Sequence, residues 1–152
     1  MYPGSFSEFF SKLSSIPLPV SEIADLVRHY IQWGVRFGIR SDVAWAQMLF
    51  ETDNLRYTGN VRREQNNFCG LKTHDGSAFA SFTTPELGVI AHYAHLACYC
   101  FPEHVRPECS DAYDPRHKSP HYDWAWTVGD LSGKWAPSSG YAAGIVERWS
   151  TA

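Results

Sequence analysis

The segment Ser41-Asp42-Val43-Ala44-Trp45-Ala46-Gln47-Met48-Leu49-Phe50-Glu51 decides how the rest of the chain is read. Ser41 with Asp42 behind it marks a helix start, because an oxygen-bearing side chain and an acid both suit the positive helix end. Val43, Ala44, Trp45, Met48 and Leu49 then recur with a helical period that fades near Asn54. Glu51 falls in the closing turn. Its neighbours three, four and seven residues back are Met48, Gln47 and Ala44, a largely apolar face. An ordinary surface glutamate prefers the other helix end, since the last turn carries partial negative charge. Both the apolar face and the dipole raise the carboxyl's pKa, as required of an acid that must still hold a proton for a leaving group. The competing structural reading is a partly exposed glutamate in a frayed turn, paired with Arg56, Arg62 or Arg63.

Upstream, Ile23, Leu26, Val27, Tyr30 and Ile31 predict a helix from a Ser21 cap to Gly38. Residues 1–19 read as a lead-in closed by Ile16-Pro17-Leu18-Pro19, and residues 20–152 as one domain. Downstream, residues 55–71 lack a period and read as a loop. Asp75-Gly76 signals a two-residue hairpin turn, flanked by Phe79 and Phe82. Thr84-Pro85-Glu86 supplies a cap, a first-turn proline and an acid to a helix running to about Tyr99. Residues 101–123 carry four prolines and form a long loop, uncommon unless functional. A final helix covers Tyr141 to Trp149. The sum is a mostly helical α+β domain with one small β-hairpin.

Composition excludes several classes. Apolar residues make up 44% and charged residues 19%, which is globular and not disordered. No apolar run approaches the roughly 18 residues of a membrane span. The net charge is −3 with no basic stripe, so no nucleic-acid partner is expected. Gly129-Asp130-Leu131-Ser132-Gly133-Lys134-Trp135 is one residue short of a phosphate-binding loop and ends in Trp, which cannot hold magnesium. His92, His95 and Cys98 stand at three-residue steps near Cys100 and Cys109, but lack any zinc motif, so we expect no metal and no cofactor. A disulfide from Cys109 to Cys98 or Cys100 stays open. Cys69 as a nucleophile with His92 or His95 as base would need a lowered thiol pKa, and a buried apolar role is the more economical reading.

Glu51-Thr52, then Asn66-Asn67-Phe68-Cys69-Gly70-Leu71-Lys72, then Phe82-Thr83-Thr84-Pro85-Glu86-Leu87-Gly88-Val89 before a helix, together resemble the bacterial and phage glucosaminidase family. Asp130-Leu131-Ser132-Gly133-Lys134-Trp135-Ala136 and Tyr141 resemble that family's closing segment. The family belongs to glycoside hydrolase family 73, peptidoglycan-cleaving enzymes with a lysozyme-like fold. The resemblance spans about residues 20 to 150. It implies that Glu51 is the general acid for the β-1,4 bond after N-acetylglucosamine, that Asn67 and Phe68 lie in a cleft-lining stretch, and that Tyr141 faces substrate. It also implies a hairpin lobe beside the cleft. Two departures stand out: Asp53-Asn54-Leu55 where the family often has Gly, and Ala136-Pro137-Ser138-Ser139-Gly140 before Tyr141.

For a second carboxylate the chain offers Asp53, Glu64, Asp75, Glu86 and Asp123. None is singled out, and the substrate's acetamido group is the other option. Tyr57, Phe68, Trp135 and Tyr141 fall in loops or at element starts, where rings can stack on sugars. Trp33 and Trp45 fall on helical faces and read as core; Trp124 and Trp126 suit either role. The expectation is a monomeric glycosidase whose partner is the glycan strand of the bacterial cell wall. The alternatives are a muramidase or lytic transglycosylase, or an inactive glycan-binding module. The opening Met1-Tyr2-Pro3-Gly4-Ser5-Phe6 lacks secretory features, suggesting a phage lysin, another export route or an excised domain.

Overall fold

The computed structural model describes residues 16–102, 105, 113–116, 125–137 and 139–151. Most of the expected lead-in, together with Cys109, Asp123 and Trp124, lies outside the described residues. Helix α1 (Val20–Phe37) buries Ile23, Leu26, Tyr30, Trp33 and Phe37, the three- and four-residue steps of one helical face. It opens two residues earlier than expected, with Pro19 in place of Ser21 at the cap position. The Ile23 N–H donates to the Pro19 carbonyl at 3.1 Å, so Ser21 lies inside the helix and caps nothing. Gly38 closes α1 in the left-handed region at φ 67°.

Helix α2 (Ser41–Glu51) follows after three residues. Arg40 holds its cap position, and the Asp42 carboxylate accepts from Arg40 and from the Val43 N–H. Helix α3 (Pro85–Cys100) starts as expected, with the Thr84 side chain accepting from the Leu87 N–H at 3.2 Å. Every residue from Gly88 to Tyr99 is buried, so α3 is the central helix of the fold. Helix α4 (Tyr141–Thr151) packs on α2, while α1 packs on both α2 and α3. Trp33 and Trp45 join the core as expected, Trp45 meeting the Tyr30 ring edge-on at 5.5 Å. Among the described residues no helix is long and apolar enough to cross a membrane.

The expected β-hairpin does not form. Residues 72–80 make one isolated antiparallel bridge, Lys72 to Phe79, and no strand. A two-residue Asp-Gly turn needs positive φ at both residues, whereas here only Gly76 adopts it. The backbone closes instead from Thr73 to Ala78 around four residues, and the Asp75 carboxylate accepts from Thr73 and Ser77. The returning segment finds its partners in side chains. Gln65 donates to the Phe79 carbonyl, Asn66 to Phe82, and Asn67 to Ala80. Amide side chains thus do locally what a second strand would have done.

Candidate active site

Glu51 sits where α2 stops, and the stop is unusual. The Thr52 N–H and hydroxyl both donate to the Met48 carbonyl, at 3.0 and 2.8 Å, and the Leu55 N–H donates back to the Thr52 hydroxyl at 2.9 Å. Asp53, Asn54 and Leu55 then run consecutively at φ 50°, 56° and 61°, and Tyr57 follows at 53°. Left-handed backbone costs non-glycine residues about 1–2 kcal/mol each. Here it turns the chain sharply away from the helix end while seating Leu55 in the core, 2% exposed. The stretch that departs from the family's Gly preference is therefore the stretch at positive φ.

Two donors converge on one oxygen of Glu51. The Trp135 indole N–H reaches Oε1 at 2.9 Å and the Tyr141 hydroxyl reaches the same atom at 2.5 Å. Tyr141 is the first residue of α4 and is 2% exposed. Trp135 is carried by a short 3₁₀ turn, Val128–Leu131, whose buried Leu131 accepts from the Trp135 N–H at 2.8 Å. Its ring rests against His95, Tyr99 and His92, with centroids at 4.9, 5.1 and 5.9 Å. The second oxygen, Oε2, faces Gly70: a Cβ there would stand 3.6 Å away, and the φ of 65° also favours glycine. Burial raises the Glu51 pKa above its ordinary value, and the Tyr141 and Trp135 hydrogen bonds offset part of the rise.

Behind this pair runs a buried line of polar groups. Gln47 Nε2 donates to the Tyr141 oxygen at 2.7 Å, Gln47 Oε1 meets His92 Nε2 at 3.0 Å, and His92 Nδ1 meets the Tyr30 hydroxyl at 2.9 Å. Burial, with a smaller push from His95, holds the His92 pKa at about 3, so its imidazole is neutral at ordinary pH. Sequence reading missed Gln47 as a participant. A glutamine one turn before a suspected acid, on an otherwise apolar face, was the available signal.

The other candidate residues divide by exposure. Asn67 is 1% exposed and its amide is fully engaged: Nδ2 donates to the Leu71 and Ala80 carbonyls, and Oδ1 accepts from the Leu71 and Cys69 N–H groups. Phe68 is 4% exposed and meets Tyr30 edge-on at 6.4 Å, within the core. Neither presents a face to solvent. Tyr57 and Trp135 are partly exposed, the Tyr57 hydroxyl pushed up to about 12 by burial. Trp126 is 78% exposed. Cys69 is buried, and burial raises its pKa far above the ordinary thiol range, with the Glu51 charge adding to it. It is a packed thiol, without the thiolate a nucleophile requires.

His95 Nδ1 meets the buried Asp114 at 2.9 Å and Cys98 lies on the same carboxylate at 3.8 Å. Of the remaining acids, Asp53 bonds Arg56 and Thr58, Asp75 closes its own turn, and Glu86 accepts from the Trp33 indole at 3.0 Å. Glu64 lines an open polar groove with Arg62, Gln65 and Ser81.

A largely buried carboxyl with a raised pKa, held by two aromatic donors at the end of a core helix, has the form of a general acid. The Glucosaminidase family model, described as mannosyl-glycoprotein endo-beta-N-acetylglucosaminidase, matches residues 27–151, and the chain belongs to this family. An uncharacterized protein of Borreliella burgdorferi is 34% identical over 117 residues, covering 76% of this chain and 56% of its own length. The chain thus spans little more than half of that relative. No solved structure matches.

Proposed function

We propose that this domain hydrolyses bacterial cell-wall glycan at the β-1,4 bond after N-acetylglucosamine, as a monomer, with Glu51 as general acid. The observation that supports it is the asymmetry of the Glu51 carboxyl: both donors bind Oε1, which leaves Oε2 to carry the transferable proton. Burial keeps that proton in place at higher pH than an exposed glutamate would. Tyr141, Asn67 and Phe68 serve the site from behind, whereas Tyr57 and Trp135 offer partly exposed rings to the sugar.

The second group is the substrate's own acetamido carbonyl. Its oxygen attacks C1 as the C1–O4 bond breaks and the Glu51 proton passes to O4; water then attacks C1, gives a proton back to the Glu51 carboxylate, and opens the cyclic intermediate to restore the acetamide. Asp53, Asp75 and Glu86 are each held by partners of their own, which supports this assignment.

The test is turbidity loss of purified peptidoglycan with wild type and Glu51→Gln, and mass spectrometry of the products. The proposal expects clearing by wild type, a loss of about 10²–10⁴-fold in the Gln variant, and reducing-end N-acetylglucosamine. Reducing-end muramic acid or its anhydro form would point to a muramidase or transglycosylase. Saturable binding without turnover would point to a binding module.

A further inference from the structure

We infer that His92 and Gln47 are positioning residues which, through Tyr141, fix the direction in which a hydroxyl proton points at Glu51. The inference rests on the general-acid reading of Glu51 and extends it to residues that never reach the substrate. One hydrogen-bonded line crosses all four helices: Tyr30 on α1, His92 on α3, Gln47 on α2, Tyr141 on α4, and back to Glu51 on α2. The four members before Glu51 are between 0% and 2% exposed, so solvent cannot substitute for a missing partner.

The polarity of the line follows from donor and acceptor chemistry. Gln47 directs its NH₂ to the Tyr141 oxygen, so its carbonyl must face His92 and receive a proton there. That requires His92 to carry its proton on Nε2, leaving Nδ1 to accept from the Tyr30 hydroxyl. With the Tyr141 oxygen already accepting, its single proton is directed to Glu51 Oε1. Rotating the Gln47 amide by half a turn would reverse this. The carbonyl would then compete with Glu51 for the Tyr141 proton, and the NH₂ would face the His92 N–H. The His92 tautomer and the amide orientation therefore hold one another in place, and the amide sets which acceptor Tyr141 serves. A merely space-filling trio needs no such directionality.

The experiment is an NMR titration of the Glu51 side-chain carboxyl in the full chain, with ¹³C-labelled glutamate and Glu51→Gln for assignment. His92→Met, which keeps bulk but not the N–H, is expected to raise the Glu51 pKa by about one unit, the scale of one lost charge-assisted hydrogen bond. His92→Gln, which restores an N–H toward Gln47, should return the titration toward wild type. In a Tyr141→Phe background His92→Met should add no further shift, because the connection has already been cut. Should His92→Met fail to fold, Tyr30→Phe carries the same test by deleting one oxygen and freeing the imidazole to take the other tautomer; a smaller rise is then expected. Variants that lose stability while Glu51 titrates as in wild type overturn the inference. The titration needs no substrate, so the two readings fail separately. A chain that cleaves no glycan but shows the shifts loses the catalytic reading alone, and one that cleaves glycan without them loses the relay alone.

Discussion

The indole N–H of Trp135 donates to Glu51 Oε1 at 2.9 Å, joining residues 84 positions apart, and takes the same oxygen that Tyr141 takes. Two donors on one oxygen stabilise the ionised carboxylate, whereas burial stabilises the protonated form. The acidity of Glu51 is the balance between them. Because α4 and the Val128–Leu131 turn deliver the donors, the site assembles only when the C-terminal segment docks on α2.

Trp135→Phe tests this balance. A phenyl ring keeps much of the packing on His95 and Tyr99 but donates nothing to Glu51. The carboxyl then holds its proton more tightly, so the basic limb of the pH–rate profile should move upward by about one unit. Activity at the wild-type optimum should fall about tenfold, since a weaker acid delivers its proton less readily. A profile with an unmoved basic limb would assign the indole to packing alone.

Glu51 should also be a stability liability. A carboxyl whose folded-state pKa lies above its unfolded value of 4.5 favours folding only while protonated. As pH rises from the unfolded toward the folded pKa, the unfolded chain gives up its proton first, and stability falls across that window. Glu51→Gln removes the titration and still offers an oxygen to Trp135 and Tyr141. Thermal melts of the two proteins should therefore diverge in favour of the Gln variant as pH rises above the unfolded value of 4.5. Parallel melts across that range would refute the raised pKa.

The helices were legible because their signals are local. Thr84-Pro85-Glu86 specifies an α-helix start from three adjacent residues, and the apolar period of α1 needs no knowledge of its partners. The place of Glu51 and the upward direction of its pKa were legible for the same reason: its apolar neighbours and its place in the last turn are properties of one helix. The hairpin failed because Asp75-Gly76 satisfies several turn types, and the choice was made by distant amides at Gln65, Asn66 and Asn67. Asn67 was drawn toward the substrate by resemblance, and Phe68 by resemblance and by its place in a loop, yet their burial depends on a loop path that no local pattern encodes. The position of Gln47 on an apolar face was a local signal, but its link to His92 was not, since that bond joins residues 45 positions apart.

Asn67 accordingly behaves as a structural residue. Its side chain makes four hydrogen bonds to the backbone of residues 69–80 while 1% exposed. Asn67→Ala strands the Cys69 and Leu71 N–H groups, whereas the Leu71 and Ala80 carbonyls keep the Ala80 N–H and the Gln65 amide, and loss of such buried partners costs about 2–4 kcal/mol. In a domain of this size that corresponds to a melting temperature lower by roughly 5–15 °C. Asn67→Asp keeps the acceptor and should lose less. Melting curves that leave Asn67→Ala within a degree of wild type would return the residue to the substrate side.

The acetamido assignment can be read from product stereochemistry. Attack by the substrate's own carbonyl followed by water displaces twice at C1, so β-linked glycan must release β-configured ends, seen in the anomeric proton signals before mutarotation. Glu64→Gln should then retain wild-type turnover within a few-fold, because that groove carboxylate takes no part. Release of α-configured ends, or a collapse of activity in Glu64→Gln, would instead make Glu64 the base that activates water.

The left-handed run after Glu51 yields a last, graded prediction at Asn54. Its neighbours are unsuitable probes, because Asp53 bonds Arg56 and Thr58 and Leu55 fills core volume. Asn54 holds φ 56° with a partly exposed side chain, so substitutions there report the backbone. Glycine meets no steric penalty in this region but loosens the unfolded chain, and asparagine tolerates the conformation better than other side chains. Asn54→Gly should stay within about half a kcal/mol of wild type, Asn54→Ala should lose about 1, and Asn54→Val should lose most, since β-branching is least compatible with positive φ. Because the same turn sets where Glu51 stops, activity should decline in that order too, with the Val variant losing more than its folded fraction explains. Equal stability across the three would show that the run relaxes to ordinary backbone and does not fix the end of α2.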